Sequence, residues 1–291
     1  MDEITLKALA KINLGLDVVR RREDGYHEVR MIMQTIHLYD LLEIQKIREP
    51  GIQIVSNLSF LPVNENNLVY KAARLLQEEF ALTDGISVKL TKRIPVAAGM
   101  AGGSTDAAAM LYAMNQLYDL GLSRRELMKR GVQTGADVPY CLMRGTALAE
   151  GIGEKLTQLP PMIKCPVLIA KPSISVSTRF VYQNLKLDEQ TNHPDIDALM
   201  KDIREKDFDG VCAHMGNVLE SVTIPNYPVI AEIKQQMMRS GAKASMMSGS
   251  GPTVFGLFED GETAKRALRE MKRSGLAKQV YLTTIYNNRR K

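Results

Sequence analysis

Ile94-Pro95-Val96-Ala97-Ala98-Gly99-Met100-Ala101-Gly102-Gly103-Ser104-Thr105-Asp106 runs directly into Ala107-Ala108-Ala109-Met110-Leu111. Glycines permit positive φ and close backbone approach. Ser104, Thr105 and Asp106 are good N-cap types, and the run after them is strongly helix-forming. A glycine-rich loop turning into a helix start aims several backbone N–H groups and the positive end of a helix dipole at one place, which suits a phosphate. A flexible connector before a buried, alanine-rich helix is the competing reading, and this stretch alone leaves both open.

Residues 86–91 alternate as a strand, so the loop has a strand before it and a helix after it, the context that strengthens a phosphate-loop reading. Further upstream, residues 4–20 show a period of two, Asp24-Gly25 marks a turn, and residues 26–44 form a second extended run. A short strand is expected at 52–55, and Asn66-Asn67 cap a predicted helix over 68–81. Downstream, the helix after the loop should run to Leu120 and stop at Gly121. Ser123-Arg124-Arg125-Glu126 is a capping box for a helix reaching Arg130-Gly131. Residues 135–139 read as a polar turn and 140–149 as a strand. Pro160-Pro161 marks the expected boundary between a domain over 1–160 and another over 161–291. In the second, strands are predicted at 165–171, 244–247, 254–258 and 280–285, and helices at 177–183, 195–204, 229–239 and 262–273. That pattern is α+β with antiparallel strands.

The 291 residues are 45% hydrophobic and 24% charged, the balance of an ordinary globular protein. A net charge of +5 fits an anionic small substrate as well as it fits nucleic acid. Lys and Arg are scattered apart from short clusters at Arg20-Arg21-Arg22 and Arg289-Arg290-Lys291. Cys141, Cys165 and Cys212 are odd in number and far apart, which suggests neither a disulfide framework nor a zinc site and favours a reducing cytoplasm. The start Met1-Asp2-Glu3-Ile4-Thr5 does not look like a secretory leader, and no apolar run approaches the roughly 18 residues a membrane span needs. The chain lacks G-x-x-x-x-G-K-[ST], G-x-G-x-x-G, a protein-kinase motif set and H-E-x-x-H, so the commonest nucleotide and zinc classes are excluded.

Pro95 to Asp106 resembles the second motif of the GHMP kinase superfamily. Met247-Ser248-Gly249-Ser250-Gly251-Pro252-Thr253-Val254-Phe255 resembles its third, and Ala10-Lys11-Ile12-Asn13-Leu14 its first. Asp24-Gly25-Tyr26-His27-Glu28 and Gly135-Ala136-Asp137-Val138-Pro139 are similar to the branch that phosphorylates diphosphocytidyl-methylerythritol on the way to isoprenoid precursors. Together the motifs cover essentially the whole chain in order. Two departures stand out. Leu9-Ala10 precedes Lys11 where the family usually has proline, and Ala97-Ala98-Gly99-Met100-Ala101 has fewer glycines than is usual, although alanine tolerates positive φ poorly.

The resemblance implies a two-domain α+β fold, with a ribosomal protein S5 domain 2-like N-terminal domain and a ferredoxin-like C-terminal domain. It implies a small-molecule kinase using ATP and Mg2+, with Lys11 and Asp137 as the catalytic pair. Pro95, Val96, Ala97, Ala98, Gly99, Met100, Ala101, Gly102, Gly103, Ser104 and Thr105 would cradle the ATP phosphates. Ser104 or Thr105 would reach the β-phosphate or Mg2+, and Asn66 or Asn67 the adenine or ribose. Tyr26 and Tyr182 are expected on either face of the cytosine, His27 at its edge, and Asn13 at the diphosphate or the erythritol hydroxyls. Residues 248–253 would form a second glycine loop over the diphosphate side. Each residue also has a plain structural reading: Asp137 as a turn residue, Lys11 as a strand lysine, Tyr182 as core packing, and Asn66-Asn67 as helix caps. The expected partner is the small substrate, with no nucleic acid and no membrane, in a cytoplasmic monomer or weak homodimer. Another GHMP kinase, a nucleic-acid-binding protein of the same fold and an inactive ATP sensor are the rival readings.

Overall fold

The computed structural model describes residues 2–189 and 191–288; the cluster Arg289-Arg290-Lys291 lies outside the described residues. Two long strands open the chain, β1 (Glu3–Arg21) and β2 (His27–Ile47), joined through the Asp24-Gly25 turn, where Gly25 has φ +84°. There follow β3 (Ile52–Ser56), α1 (Leu68–Glu79), β4 (Gly85–Thr91), α2 (Gly102–Leu117), α3 (Arg124–Thr134) and α4 (Val138–Met143). The remainder is β5 (Thr146–Gly151), β6 (Lys155–Gln158), β7 (Pro166–Lys171), α5 (Thr178–Asn184), α6 (Ile196–Glu205), α7 (Phe208–His214) and β8 (Gly216–Asn217). It closes with α8 (Glu220–Asn226), α9 (Val229–Arg239), β9 (Ala244–Met247), β10 (Val254–Leu257), α10 (Gly261–Ser274) and β11 (Gln279–Thr284).

Two compact units result, one of residues 1–10, 38–96 and 101–143, the other of 11–37, 97–100 and 144–291. In the first, β4 pairs antiparallel with the end of β2 and parallel with β3, and α1 is the crossover that a parallel β3–β4 pair requires. Helix α2 is buried on nearly every side (Ala107, Ala108, Ala109, Met110, Leu111, Ala113 and Met114), as an apolar helix at the centre of a core must be. In the second unit, β5 pairs antiparallel with the start of β2 and with β6. A separate antiparallel sheet has the order β11-β7-β10-β9, and α9 and α10 pack on it. Leaving aside the insertion between β7 and α9, the order is β-α-β-β-α-β with the first and last strands in sequence, β7 and β11, side by side, the expected ferredoxin-like arrangement. Phe255 and Phe258 are fully buried there, where truncation to alanine costs about 3–5 kcal/mol.

Several expected elements differ. Residues 140–143, predicted as the start of a strand, belong to α4. Asp137 O accepts from Cys141 N–H at 3.0 Å to begin that helix, and Pro139 fits a first turn, where a missing N–H costs nothing. Arg144 and Gly145 then take φ of +61° and +79°, which breaks the chain before β5. Helix α2 ends at Leu117 rather than Leu120, and α3 continues past Gly131 to Thr134. Strands β6 and β8 and helices α7 and α8 were not expected; all are short segments whose periodicity is too brief to register.

Candidate active site

The loop after β4 has positive φ at alternate residues: Ala97 (+50°), Gly99 (+71°) and Ala101 (+55°). The left-handed region costs an alanine roughly 1–2 kcal/mol, so this backbone shape is imposed by its surroundings. Alternation of this kind turns successive N–H groups toward one side, the geometry of an anion-binding nest. Helix α2 begins at Gly102 with Ala101 as its N-cap, and no side chain caps it. Ser104 and Thr105, expected as caps, instead lie inside the first turn, with Asp106 just beyond it, and Thr105 N–H already bonds Ala101 O at 2.9 Å. A helix's first N–H groups have no carbonyl of their own to bond, so this start suits phosphate oxygens. Ser104 is half-buried and Thr105 is buried.

Residues 97–100 are laced to the second glycine loop. Ser248 Oγ donates to Gly99 O at 3.0 Å, and a Cβ on Gly99 would stand 2.0 Å from Ser248 O. Asn217 Nδ2 donates to Met247 O and Gly249 O at 2.9 and 2.8 Å, which fixes the near side of that loop. Lys11 N–H bonds Met100 O at 3.2 Å, so β1 supports the phosphate loop directly. Lys11 itself is only 5% exposed, and its Nζ donates to Asn13 Oδ1 at 2.8 Å. Asn13 is fully buried and its Nδ2 faces Met31 Sδ at 3.3 Å, so this amide aims the Lys11 ammonium.

Asp137 stands half-buried at the head of α4, in the turn that follows Gly135, the C-cap of α3. A Cβ on Gly131 would come 2.8 Å from Val138 Cγ1 and 3.6 Å from Leu111 Cδ1, so a bare Cα lets α3, α4 and α2 close together. Ser104 Oγ lies 3.8 Å from where a Gly135 Cβ would be. The first turn of α2 and the turn bearing Asp137 are therefore neighbours.

A third group surrounds the hairpin turn. Asp24 Oδ1 accepts from Tyr26 N–H at 3.0 Å, and Arg22 pairs with Asp24 at 2.9 Å, which props the turn. Tyr26 is 61% exposed. The His27 ring lies 5.2 Å from that of Tyr182 with a 46° tilt. Burial, then the nearby Arg21 charge, holds His27 below its usual range, so the ring is neutral at pH 7. On α5 the fully buried Val181 is the anchor, Phe180 remains 37% exposed and Tyr182 packs on His27, so the pair is not plain core. Thr178 Oγ1 meets Ser250 Oγ at 2.8 Å, tying α5 to the second glycine loop. Asn67 spends its side chain on local structure, accepting from Val69 N–H at 2.9 Å and donating to Pro62 O at 2.6 Å, while Asn66 is exposed.

Some participants carried no motif. Asp40 and Lys92 are buried beside the loop's stem, and Thr178 bonds across to Ser250. Only strand parity could have shown Asp40, which shares the inward face of β2 with Leu38, Leu42 and Ile44. Among the described residues no group of three or more His, Cys, Asp or Glu is placed to hold a metal, and no helix is long and apolar enough to cross a membrane.

Residues 67–145 match the GHMP kinases N terminal domain, and residues 199–277 match GHMP kinases C terminal. The 4-diphosphocytidyl-2-C-methyl-D-erythritol kinase of Lachnospira eligens is 58% identical over 286 residues, covering 98% of this chain and 99% of that protein. The protein of the same name from Acetivibrio thermocellus is 50% identical over 94% of this chain and 96% of its own length. A crystal structure of 4-(cytidine 5'-diphospho)-2C-methyl-D-erythritol kinase superposes with a TM-score of 0.85 at 31% identity, covering 98% of this chain and all of that one. A homoserine kinase from Cytophaga hutchinsonii shares the fold, with a TM-score of 0.81 at 22% identity over 98% of this chain and 95% of its own.

Proposed function

The chain belongs to the GHMP kinase family, and we propose on that footing that it transfers the terminal phosphoryl group of ATP to the 2-hydroxyl of 4-diphosphocytidyl-2-C-methyl-D-erythritol. The reaction belongs to the methylerythritol phosphate route to isoprenoid precursors. The observation that carries the acceptor is identity of up to 58% with kinases of that name along nearly the full chain. The His27–Tyr182 ring pair beside an exposed Tyr26 supports it, since homoserine and mevalonate offer no base to stack.

Phosphoryl transfer passes through a loose transition state, so positioning and charge neutralisation supply most of the acceleration. Backbone N–H groups between Pro95 and Thr105 hold the phosphates, and the uncapped start of α2 sets its dipole behind them. Lys11, aimed by Asn13, faces the charge that develops on the transferring group. Asp137 orients the acceptor hydroxyl and takes its proton late. Tyr26 and Tyr182 enclose the cytosine, with neutral His27 reading its edge through one ring donor and one ring acceptor. Mg2+ prefers hard oxygen ligands, and the half-buried hydroxyl of Ser104 suits it better than that of buried Thr105; when bound it neutralises phosphate charge. Of the two asparagines Asn66 is taken to approach the adenine or ribose, a choice supported by the use of the Asn67 side chain as a helix cap. The domains are taken as 1–160 and 161–291, the boundary falling between the two family matches. The protein is taken to work in the cytoplasm as a monomer or weak homodimer, without nucleic acid.

The test is ATP turnover with a panel of acceptors: diphosphocytidyl-methylerythritol, homoserine and phosphomevalonate. Turnover confined to the first is expected. Preference for either of the others would overturn the assignment.

A further inference from the structure

Asp40 in β2 and Lys92 after β4 are fully or almost fully buried, with side-chain exposures of 0% and 3%. Asp40 Oδ1 accepts from the backbone N–H of Arg93 and of Ile94, the latter at 2.8 Å, and its Oδ2 meets Lys92 Nζ. The same ammonium donates to Asp106 Oδ2 at 2.6 Å, and Asp106 is 3% exposed. Lys92, Arg93 and Ile94 are the residues that enter the loop 95–105, and Asp106 is the first residue to leave it. One buried ammonium therefore joins the two stems of the loop. Gly102 fits over it, for a Cβ there would come 3.3 Å from Lys92 Nζ.

Stability gives little reason for this arrangement. A buried ion pair rarely outperforms apolar residues of the same volume, because desolvation cancels most of the attraction. Asp106 Oδ1 has no partner among the described residues, a further cost. What directional buried contacts do supply is a fixed geometry. We propose that Asp40, Lys92 and Asp106 form a clip that fixes the separation of the two stems of the phosphate loop, and so set the affinity for ATP without touching it. The proposal rests on the reading of residues 95–105 as the ATP loop. All three are positioning residues. Burial pushes the Asp106 carboxyl up against the pull of Lys92, and the bond from the ammonium needs only a carbonyl oxygen at that position. An amide should therefore replace it.

Asp106→Ala severs the link between the stems and leaves Lys92 paired with Asp40. Amide exchange of residues 97–105 is followed in the ligand-free protein, alongside KM for ATP and for the cytidine acceptor. Expected are faster exchange confined to the loop and a KM for ATP raised about tenfold, since small misplacements are costly in such sites. KM for the acceptor should stay within about twofold, and Asp106→Asn should restore both readouts. Unchanged loop exchange, or an equal loss for both substrates, would overturn the clip. If the alanine variant does not fold, Asp106→Leu takes its place; failure of both to fold marks the triad as a core-stability element and also overturns the clip. If the wild type turns over no ATP, the kinase assignment fails while the exchange measurement still decides whether the stems are clipped.

Discussion

Gly99 presents its bare Cα to the backbone carbonyl of Ser248, so closely that any Cβ would stand 2.0 Å from the oxygen. Gly99 also has φ +71°, and Ser248 Oγ bonds back to its carbonyl. No side chain can yield here, because both sides of the contact are backbone. Gly99→Ala should lower stability by about 2–4 kcal/mol, combining overpacking with left-handed strain. Urea unfolding checks this, and a wild-type midpoint would mean that the two loops do not meet as described.

Asp137→Asn keeps the size of the side chain and removes its basicity. General acid–base groups contribute about 10²–10⁴-fold, so kcat should fall in that range. Dissociation constants for ATP and the cytidine acceptor should stay within about twofold by calorimetry. A variant with near-normal kcat would remove Asp137 from the chemistry.

Tyr182→Ala and Tyr26→Ala address the base. Stacking is worth ~1–3 kcal/mol per base, roughly a 5- to 150-fold rise in KM for the cytidine acceptor. KM for ATP should not follow it. Parallel losses for both substrates would place these rings elsewhere in the mechanism.

His214 Nδ1 lies 2.6 Å from Asp202 Oδ2, and the bond to Asp202 raises the histidine above its usual value. A histidine raised on folding contributes stability that is complete below its unfolded value of about 6.5 and fades as pH climbs through the folded value. The difference in Tm between wild type and His214→Gln should therefore be largest near pH 6 and shrink toward pH 8.5. A gap that widened with pH would contradict the pairing.

The glycine-rich stretch announced itself because its composition has few uses, and the long alternating strands because period two persists over so many residues. Residues 140–143 mislead because the stretch from Tyr140 through Ala149 reads as one segment; only the left-handed pair Arg144-Gly145 divides it, and Arg144 gives no sign of that conformation. The hydroxyls at 104 and 105 misled for a related reason. Cap preference is local, whereas Asp106 is drawn inward by Lys92, so the helix starts two residues before the first of those hydroxyls. The Asp40–Lys92–Asp106 cluster is invisible in the sequence because its members come from β2, the residue after β4 and α2, far apart along the chain, without spacing or shared composition. Alanines at 97 and 101 take the positive φ that glycine usually supplies.

Tyr26 keeps most of its ring in water. A planar guest settling on that ring dehydrates it, and removal of apolar surface from water leaves a calorimetric trace. The enthalpy of complex formation with the cytidine compound should grow steadily more negative on warming, and that slope should flatten once the ring is cut back to alanine.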